Sequence, residues 1–125
     1  MTQTGGKTRV VTLCADLFFT IGIQRTAEGL GLTADRAEDL DDLAEKVRAP
    51  GPVLVLLELD QWKTGAVKRL RNAHGEGLSI VAFGSHVDRE TRSAAEAEGA
   101  DAVMPRSAFA KDIAGHLRKW AGEEG

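Results

Sequence analysis

The segment VLVLLEL, from Val53 to Leu59, is apolar at every position except Glu58. It follows the helix-breaking residues PGP and is short, so it is predicted as a strand. A strand without polar alternation is buried on both faces, which is typical of a parallel sheet that helices cover on two sides. The segment therefore predicts the central strand of an α/β protein.

The sequence on both sides of this strand alternates between helix-like and strand-like segments. Helical spacing is clear in residues 16–31, where Phe19, Ile23 and Ala27 recur and Asp16 is the expected N-cap. Five β-α units in succession predict an open, mostly parallel sheet with right-handed crossovers. Four other short segments are predicted as strands: RVVTLC (9–14), LTADRA (32–37), LSIVAFG (78–84) and DAVMP (101–105).

The composition of the five predicted strands indicates their order in the sheet. The third and fourth are the most apolar and should lie inside, whereas the second is half polar and suits an edge. A 2-1-3-4-5 order meets both requirements, and flavodoxin-like folds have this order. We therefore expect one three-layer α/β/α domain over residues 1–125, with a core at about 9–120 and flexible tails at 1–8 and 121–125.

The overall composition excludes several classes of protein. The chain has 125 residues, 42% hydrophobic and 28% charged, with a net charge of −3, so general attraction to nucleic acid or to anionic membranes is not expected. The first ten residues have no apolar segment typical of a signal peptide, and no apolar run approaches the length of a membrane helix, so neither is expected. The single cysteine, Cys14, cannot form an internal disulfide, which fits a cytoplasmic protein.

Polar side chains follow four of the predicted strands at their carboxyl ends. In a sheet of this order these ends meet at one rim, where ligands bind in open α/β proteins. We expect three carboxylates, a glycine, a hydroxyl, an imidazole and a guanidinium to converge there: Asp16, Glu58, Asp60, Gly84, Ser85, His86 and Arg106.

Three of these segments carry a resemblance to a known family. LLEL (56–59), VAFGSHVD (81–88) and GADAVMPRSAF (99–109), in this order and spacing, resemble the receiver (CheY-like) domain of response regulators. The resemblance extends from about Arg9 to Trp120. It implies the flavodoxin-like fold predicted above and a role in bacterial-type signal transduction related to phosphorelays.

The resemblance also implies where phosphorylation chemistry would lie. A receiver has a phosphoacceptor aspartate at the end of its third strand, and Glu58 stands there. It has two acids after the first strand that hold Mg²⁺, whereas this chain has Cys14, Ala15 and Asp16, so at most Asp16 remains. Glutamate is one methylene longer than aspartate, which displaces its oxygens beyond the tolerance of in-line phosphoryl transfer.

The fourth and fifth strands depart from the family pattern as well. The receiver's Thr or Ser corresponds to Gly84, with Ser85 one position later, and its Lys-Pro corresponds to Arg106 and Ser107. Arg106 keeps a cation at the rim, and its planar guanidinium suits a carboxylate. An ion pair between Arg106 and Glu58 is therefore expected.

These departures favour a stand-alone degenerate receiver that is not phosphorylated, or only inefficiently, and that acts by protein-protein contact. No complete catalytic constellation is present, so we expect no enzyme activity, no cofactor, no metal site and at best poor Mg²⁺ binding. The partner is expected to be a protein, with a homodimer as one option. Trp62, just after the third strand, is the predicted contact residue, whereas Trp120 should close the core-facing stripe of a single last helix over 107–120.

Simpler or different roles remain open for several of these residues. Asp60 is expected to be a loop residue or the cap of the next helix before it is a ligand, and the basic helix face with Lys63, Lys68, Arg69 and Arg71 is expected to be solvated. In an alternative function, the rim formed by Asp16, Glu58, His86 and Arg106 binds a small anionic or metal-bound ligand, or catalyses a minor reaction with His86 as general base.

Overall fold

The computed structural model describes residues 8–61, 65–74 and 77–121. Helices and strands alternate along the described chain, as the sequence predicts, and no helix in it is long and apolar enough to cross a membrane. The elements are β1 (Arg9–Leu13), α1 (Leu17–Gly29), β2 (Thr33–Arg36), α2 (Leu40–Val47), β3 (Val53–Glu58), α3 (Ala66–Ala73), β4 (Leu78–Gly84), α4 (Arg89–Glu98), β5 (Ala102–Pro105), α5 (Arg106–Lys111) and α6 (Ile113–Trp120).

The strands form a five-stranded parallel sheet in the order β2-β1-β3-β4-β5, so the predicted topology is confirmed. All six residues of β3 are buried. Because side chains alternate along a strand, Val55 and Leu57 pack into the core shared with α2 and α3, whereas Leu54 and Leu56 pack into the core shared with α1 and α6. Helices thus cover both faces, and the predicted three-layer architecture is confirmed.

Helix boundaries follow the capping chemistry in the sequence. Among the described helices, α1, α2, α4 and α6 begin after an aspartate whose carboxylate accepts a backbone N–H of the first turn. Asp16 is one of these N-caps, as predicted. Helix α4 ends at Gly99, whose φ of 118° is a left-handed conformation that glycine adopts without strain.

The last helical segment differs from the prediction. Asp112 interrupts it, because its carboxylate accepts the backbone N–H of Gly115 at 3.0 Å and starts a new helix. The predicted single helix over 107–120 is therefore two helices, α5 and α6. Trp120 packs against the core on the α1 side, as predicted, and the next residue, Ala121, is buried. The folded core therefore continues one residue beyond the predicted tail boundary.

Arg71 is not the solvated residue that the sequence suggests. Its Nε donates to the carbonyl of Gly99 at 2.9 Å, and its Nη1 donates to the carbonyl of Leu78 at 2.7 Å. Its Nη2 pairs with the carboxylate of Asp101 at 2.7 Å. The side chain ties α3 to the start of β4 and to the turn before β5, so that part of the prediction was wrong. Lys63 lies outside the described residues.

Candidate functional site

Glu58 is a buried acid at the carboxyl end of β3. It is 5% exposed, and its Oε1 accepts the backbone N–H of Ala15 at 2.8 Å. Ala15 follows β1, so the contact joins the ends of two neighbouring strands. Burial excludes the simpler interpretation of Glu58 as a solvated loop residue. The acid is held where the resemblance places a phosphoacceptor.

Asp16 and Arg106 form the ion pair of the rim. The Asp16 carboxylate accepts the backbone N–H of Phe19 at 3.1 Å, and it also accepts a hydrogen bond from Arg106 Nη2. The Phe19 N–H and then the Arg106 guanidinium lower the pKa of Asp16 below its usual value. Asp16 is therefore both a helix cap and an ion-pair partner.

The predicted ion pair between Arg106 and Glu58 is wrong. The guanidinium of Arg106 lies 4.3 Å from the centre of the Phe19 ring, at the start of α1 and next to Asp16. Glu58 is buried at the end of β3, and its Oε1 accepts the backbone N–H of Ala15 instead. Arg106 therefore pairs with the more exposed carboxylate of Asp16 and not with the buried carboxylate of Glu58.

Asp60 holds the segment that follows β4. Its carboxylate accepts the backbone N–H of Ser85 at 3.0 Å and the Ser85 hydroxyl at 2.8 Å. Helix α3 begins after Gly65 without a side-chain cap, so of the two roles expected for Asp60, loop residue or helix cap, the structure shows the first. Desolvation raises the pKa of Asp60, but the hydrogen bonds from Ser85, together with smaller contributions from Glu58 and Arg106, outweigh it, and the net shift is downward.

Gly84, the last residue of β4, makes room for this contact. A Cβ at Gly84 would lie 3.1 Å from Oδ1 of Asp60, closer than most side-chain carbons approach an oxygen. The absence of a side chain therefore allows the Asp60 carboxylate to reach Ser85.

Five of the predicted rim side chains make contacts at the strand ends, whereas His86 makes none among the described residues. The five are Asp16, Glu58, Asp60, Ser85 and Arg106. Hydrogen bonding by the Glu58 side chain and the positive charge of Arg106 both contribute to the lowered pKa of Asp60, so the buried acid, the exposed acid and the guanidinium lie close together. His86 is exposed, and no hydrogen bond, ion pair or ring contact found in the described ranges involves it. Trp62, the predicted contact residue, lies outside the described residues.

Two members of the site were not assigned to it from the sequence. Cys14 is 4% exposed at the end of β1, and burial, followed by the charge of Glu58, raises the pKa of its thiol. Phe19 supports Arg106 and packs edge-on against Phe83, with ring centres 5.4 Å apart. The position of Cys14 directly before Ala15 and Asp16 was an available signal for the thiol. Helical periodicity assigned Phe19 only to the core.

The donors that could hold a metal are engaged by protein groups. Asp16 binds Arg106, Asp60 binds Ser85, and Glu58 binds the Ala15 N–H. Across the described ranges, no group of three or more His, Cys, Asp or Glu side chains is arranged to hold a metal ion.

An open cleft of about 350 Å³ lies at the opposite end of the sheet. It involves the amino ends of β3 and β4 and the end of α6, so it is separate from the rim. Its lining residues are Thr8, Pro52, Val53, Gly77, Leu78, Ser79, Trp120 and Ala121.

Comparison with known proteins gives a clear result only for structure. No protein-family model and no curated protein matches the sequence. Among solved structures, a two-component response regulator from Clostridium difficile superposes with a TM-score of 0.78 over 91% of this chain and 95% of the other, at 16% identity. This chain has the receiver fold. At such identities the likeness establishes the fold and nothing further.

Two more similar structures have the receiver fold. An atypical orphan response regulator with a phosphorylation-independent regulatory mechanism has a TM-score of 0.78 and 18% identity, over 94% of this chain and 98% of the other. The beryllofluoride-activated NtrC4 receiver domain dimer has a TM-score of 0.71 and 15% identity, over 90% and 98% respectively.

The end of β5 allows two alignments with the Lys-Pro of receivers. Strand β5 ends at Pro105, and Arg106 begins α5. The pair Met104-Pro105 keeps the proline, whereas Arg106-Ser107 keeps a cation. Neither alignment supplies a lysine, so the departure from the receiver pattern does not depend on the choice.

Proposed function

We propose that this chain is a signalling module with the receiver fold that works without phosphorylation and acts by binding another protein. The observation that carries the proposal is the position of Glu58. It is 5% exposed at the phosphoacceptor position, and its Oε1 is already bonded to the Ala15 N–H. A buried acid that is one methylene too long and is committed to the backbone is poorly placed to attack a phosphoryl donor.

The contact between Asp60 and Ser85 supports a fixed state. In the receivers that this chain resembles, a Ser or Thr hydroxyl after the fourth strand turns towards the new phosphoryl group. Here the Ser85 hydroxyl and N–H bind a carboxylate that is part of the chain. The Asp60 carboxylate thus supplies a permanent negative charge to the segment between β4 and α4, where a phosphoryl group would supply a transient one.

The engagement of the rim acids also argues against a Mg²⁺-dependent mechanism. Mg²⁺ requires near-octahedral oxygen ligands, usually with one or two carboxylates that are free to bind it. To recruit Asp16, the ion would have to displace the Arg106 guanidinium, and nearby Ala15 has no side-chain donor. These residues do not fit a Mg²⁺ site, and we assign no cofactor and no catalysis to the rim.

The similarity to the orphan regulator with a phosphorylation-independent mechanism is consistent with this proposal. The ligand-binding alternative has less support, because Arg106 and Ser85 already bind carboxylates and His86 joins no described contact. Its test is a ligand screen by thermal shift on the wild type and on Arg106→Ala and His86→Ala. A stabilising ligand whose effect disappears in both variants would favour it.

The proposal is tested by incubating the full chain with Mg²⁺ and either acetyl phosphate or beryllofluoride. Intact mass and melting temperature are then recorded. We expect neither to change, because the acid at position 58 and the missing second acid prevent in-line transfer. A receiver domain that is readily phosphorylated serves as the reagent control. Stoichiometric phosphorylation at Glu58 or Asp60 would overturn the proposal.

A matched variant makes the negative result informative. The double substitution Ala15→Asp with Glu58→Asp restores the acid length and the second acid while leaving the rest of the chain unchanged. If this variant responds to beryllofluoride and the wild type does not, the loss of chemistry is assigned to these two side chains.

A further inference from the structure

Helix α4 is attached to the core by a single small side chain. Among its ten residues only Ala95 is buried. Helices α1, α2 and α3 each bury three side chains. Since apolar stabilisation scales with buried area, the one methyl group of Ala95 contributes much less than Leu43 and Val47 of α2. Helix α4 therefore has the weakest apolar attachment of these four helices.

Polar contacts hold the two ends of α4. Before the helix, the backbone N–H and the hydroxyl of Ser85 donate to the Asp60 carboxylate. After the helix, the carbonyl of Gly99 accepts the Nε of Arg71, on α3, at 2.9 Å. A Cβ at position 99 would lie 2.9 Å from the Cγ of Arg71, so only a residue without a side chain allows this approach. The two contacts bind α4 to the ends of other elements rather than to the core.

Helix α4 is too short to stay folded once it leaves the core. Isolated helices of fewer than about 12 residues are marginal in water, so detaching α4 also unfolds it. A further contact, from the Gly65 N–H to the Glu98 carboxylate, is long at 3.3 Å and therefore weak. Segments with few buried apolar contacts open locally more readily than core strands do. The closed position of α4 thus depends mainly on the contacts at its two ends.

We propose that α4 opens as a separate unit while the sheet and the other helices stay folded, and that the contacts of Ser85 with Asp60 and of Gly99 with Arg71 determine how often it opens. Helix α4 lies against β5 and α3, and Val103 of β5 belongs to the same core cluster as Ala95. Opening therefore exposes apolar surface on β5 and α3.

The chain then has two surface states that interconvert without a phosphoryl group. A molecule that binds only the open state shifts the population towards it. The inference does not depend on the proposed function, because it uses the burial of α4 and the contacts at its ends, and it makes no use of the partner or of the chemistry at Glu58.

Thiol labelling of two matched variants of the full chain tests the proposal. Ala95→Cys places a thiol in α4, and Ala44→Cys places one in α2 at a similarly buried position, 5% and 4% exposed respectively. A buried thiol reacts with iodoacetamide only when its segment opens, so the thiol in α4 should react about tenfold faster or more. Peptide mapping by mass spectrometry separates each new thiol from that of Cys14.

Hydrogen exchange on the wild-type chain measures the same opening without a substitution in α4. The amides of α4 that bond within the helix should exchange about tenfold faster or more than those of α2. If the two helices exchange at the same rate, or if the two thiols react at the same rate, α4 opens only when the whole chain unfolds and the proposal is refuted.

Substitutions at the two ends separate local opening from a general loss of stability. Arg71→Lys keeps the charge but loses the planar fork, and Asp60→Ala removes the contact with Ser85. Each should accelerate labelling at position 95 about fivefold more than at position 44. Arg69→Ala, the control, removes a surface ion pair of the same helix with Asp41 and should change neither rate. Equal acceleration at both positions by Arg71→Lys and Asp60→Ala would overturn the roles given to these contacts.

Discussion

Glu58 and Asp60 are two acids at the end of one strand, yet they occupy different environments. Glu58 is 5% exposed and bonds to Ala15, after β1, whereas Asp60 is exposed and bonds to Ser85, after β4. Two residues apart, they tie the end of β3 to the strands on either side. The difference teaches that two acids from the end of one strand form two kinds of contact with its neighbours, one buried and one at the surface.

The largest effect is expected when lysine replaces each acid. Glu58→Lys places a cation against the Ala15 N–H in a buried position, and we expect a loss of about 3 kcal/mol in the free energy of unfolding. Asp60→Lys breaks a surface contact and should cost about 1 kcal/mol. Urea unfolding of the two variants measures both values. Equal losses would contradict the environments described for the two acids.

A smaller effect is expected when the contact between Asp60 and Ser85 is removed. A double-mutant cycle of Asp60→Ala with Ser85→Ala should give a coupling energy of about 1 kcal/mol, because the hydroxyl bond is partly screened by solvent. Hydrogen exchange at the Ser85 amide should accelerate in Asp60→Ala and remain slow in Glu58→Gln. If Glu58→Gln accelerates it equally, the two acids act as one unit rather than as separate links.

The smallest effect on the free energy of unfolding is expected when the pH is lowered. The pKa values of Asp16 and Asp60 are lowered from the usual 3.8, so around that pH the folded chain binds fewer protons than the unfolded chain. Their contribution to stability is therefore present above pH 3.8 and is lost as the pH falls through the lowered values. Urea unfolding between about pH 6 and about pH 2 should show this decline, and Asp16→Asn and Asp60→Asn should each flatten it. An unchanged slope in both variants would contradict the assignment.

The fold was predictable because it depends on patterns that the sequence states directly. The continuous apolar run of β3 and the half-polar composition of β2 determine which strand is central and which is an edge. Aspartates determine where four of the six described helices begin, and Gly99 determines where α4 ends. The break at Asp112 was missed because the apolar period of α6 continues that of α5, and the interruption depends on one local hydrogen bond.

The charged members of the site were predictable, whereas the parts played by Cys14 and Phe19 and the pairing of the charges were not. Strand ends determine that Asp16, Glu58 and Arg106 share one rim, and the structure confirms this. The choice of carboxylate by Arg106 depends on the burial of Glu58 and on the Phe19 ring beside the guanidinium. Neither can be predicted from the spacing of residues in the sequence. The contact of Asp60 with Ser85 was not predicted for a similar reason, because Ser85 follows the neighbouring strand β4 and is 25 residues away in the sequence.

The bare backbone at Gly84 has a consequence for the contact beside it. A serine or threonine at position 84 would bring its Cβ to 3.1 Å from Oδ1 of Asp60, so the carboxylate would have to shift. The same carboxylate accepts the N–H and the hydroxyl of Ser85. A side chain at position 84 and the contact between Asp60 and Ser85 therefore compete for the same space, and adding the one weakens the other.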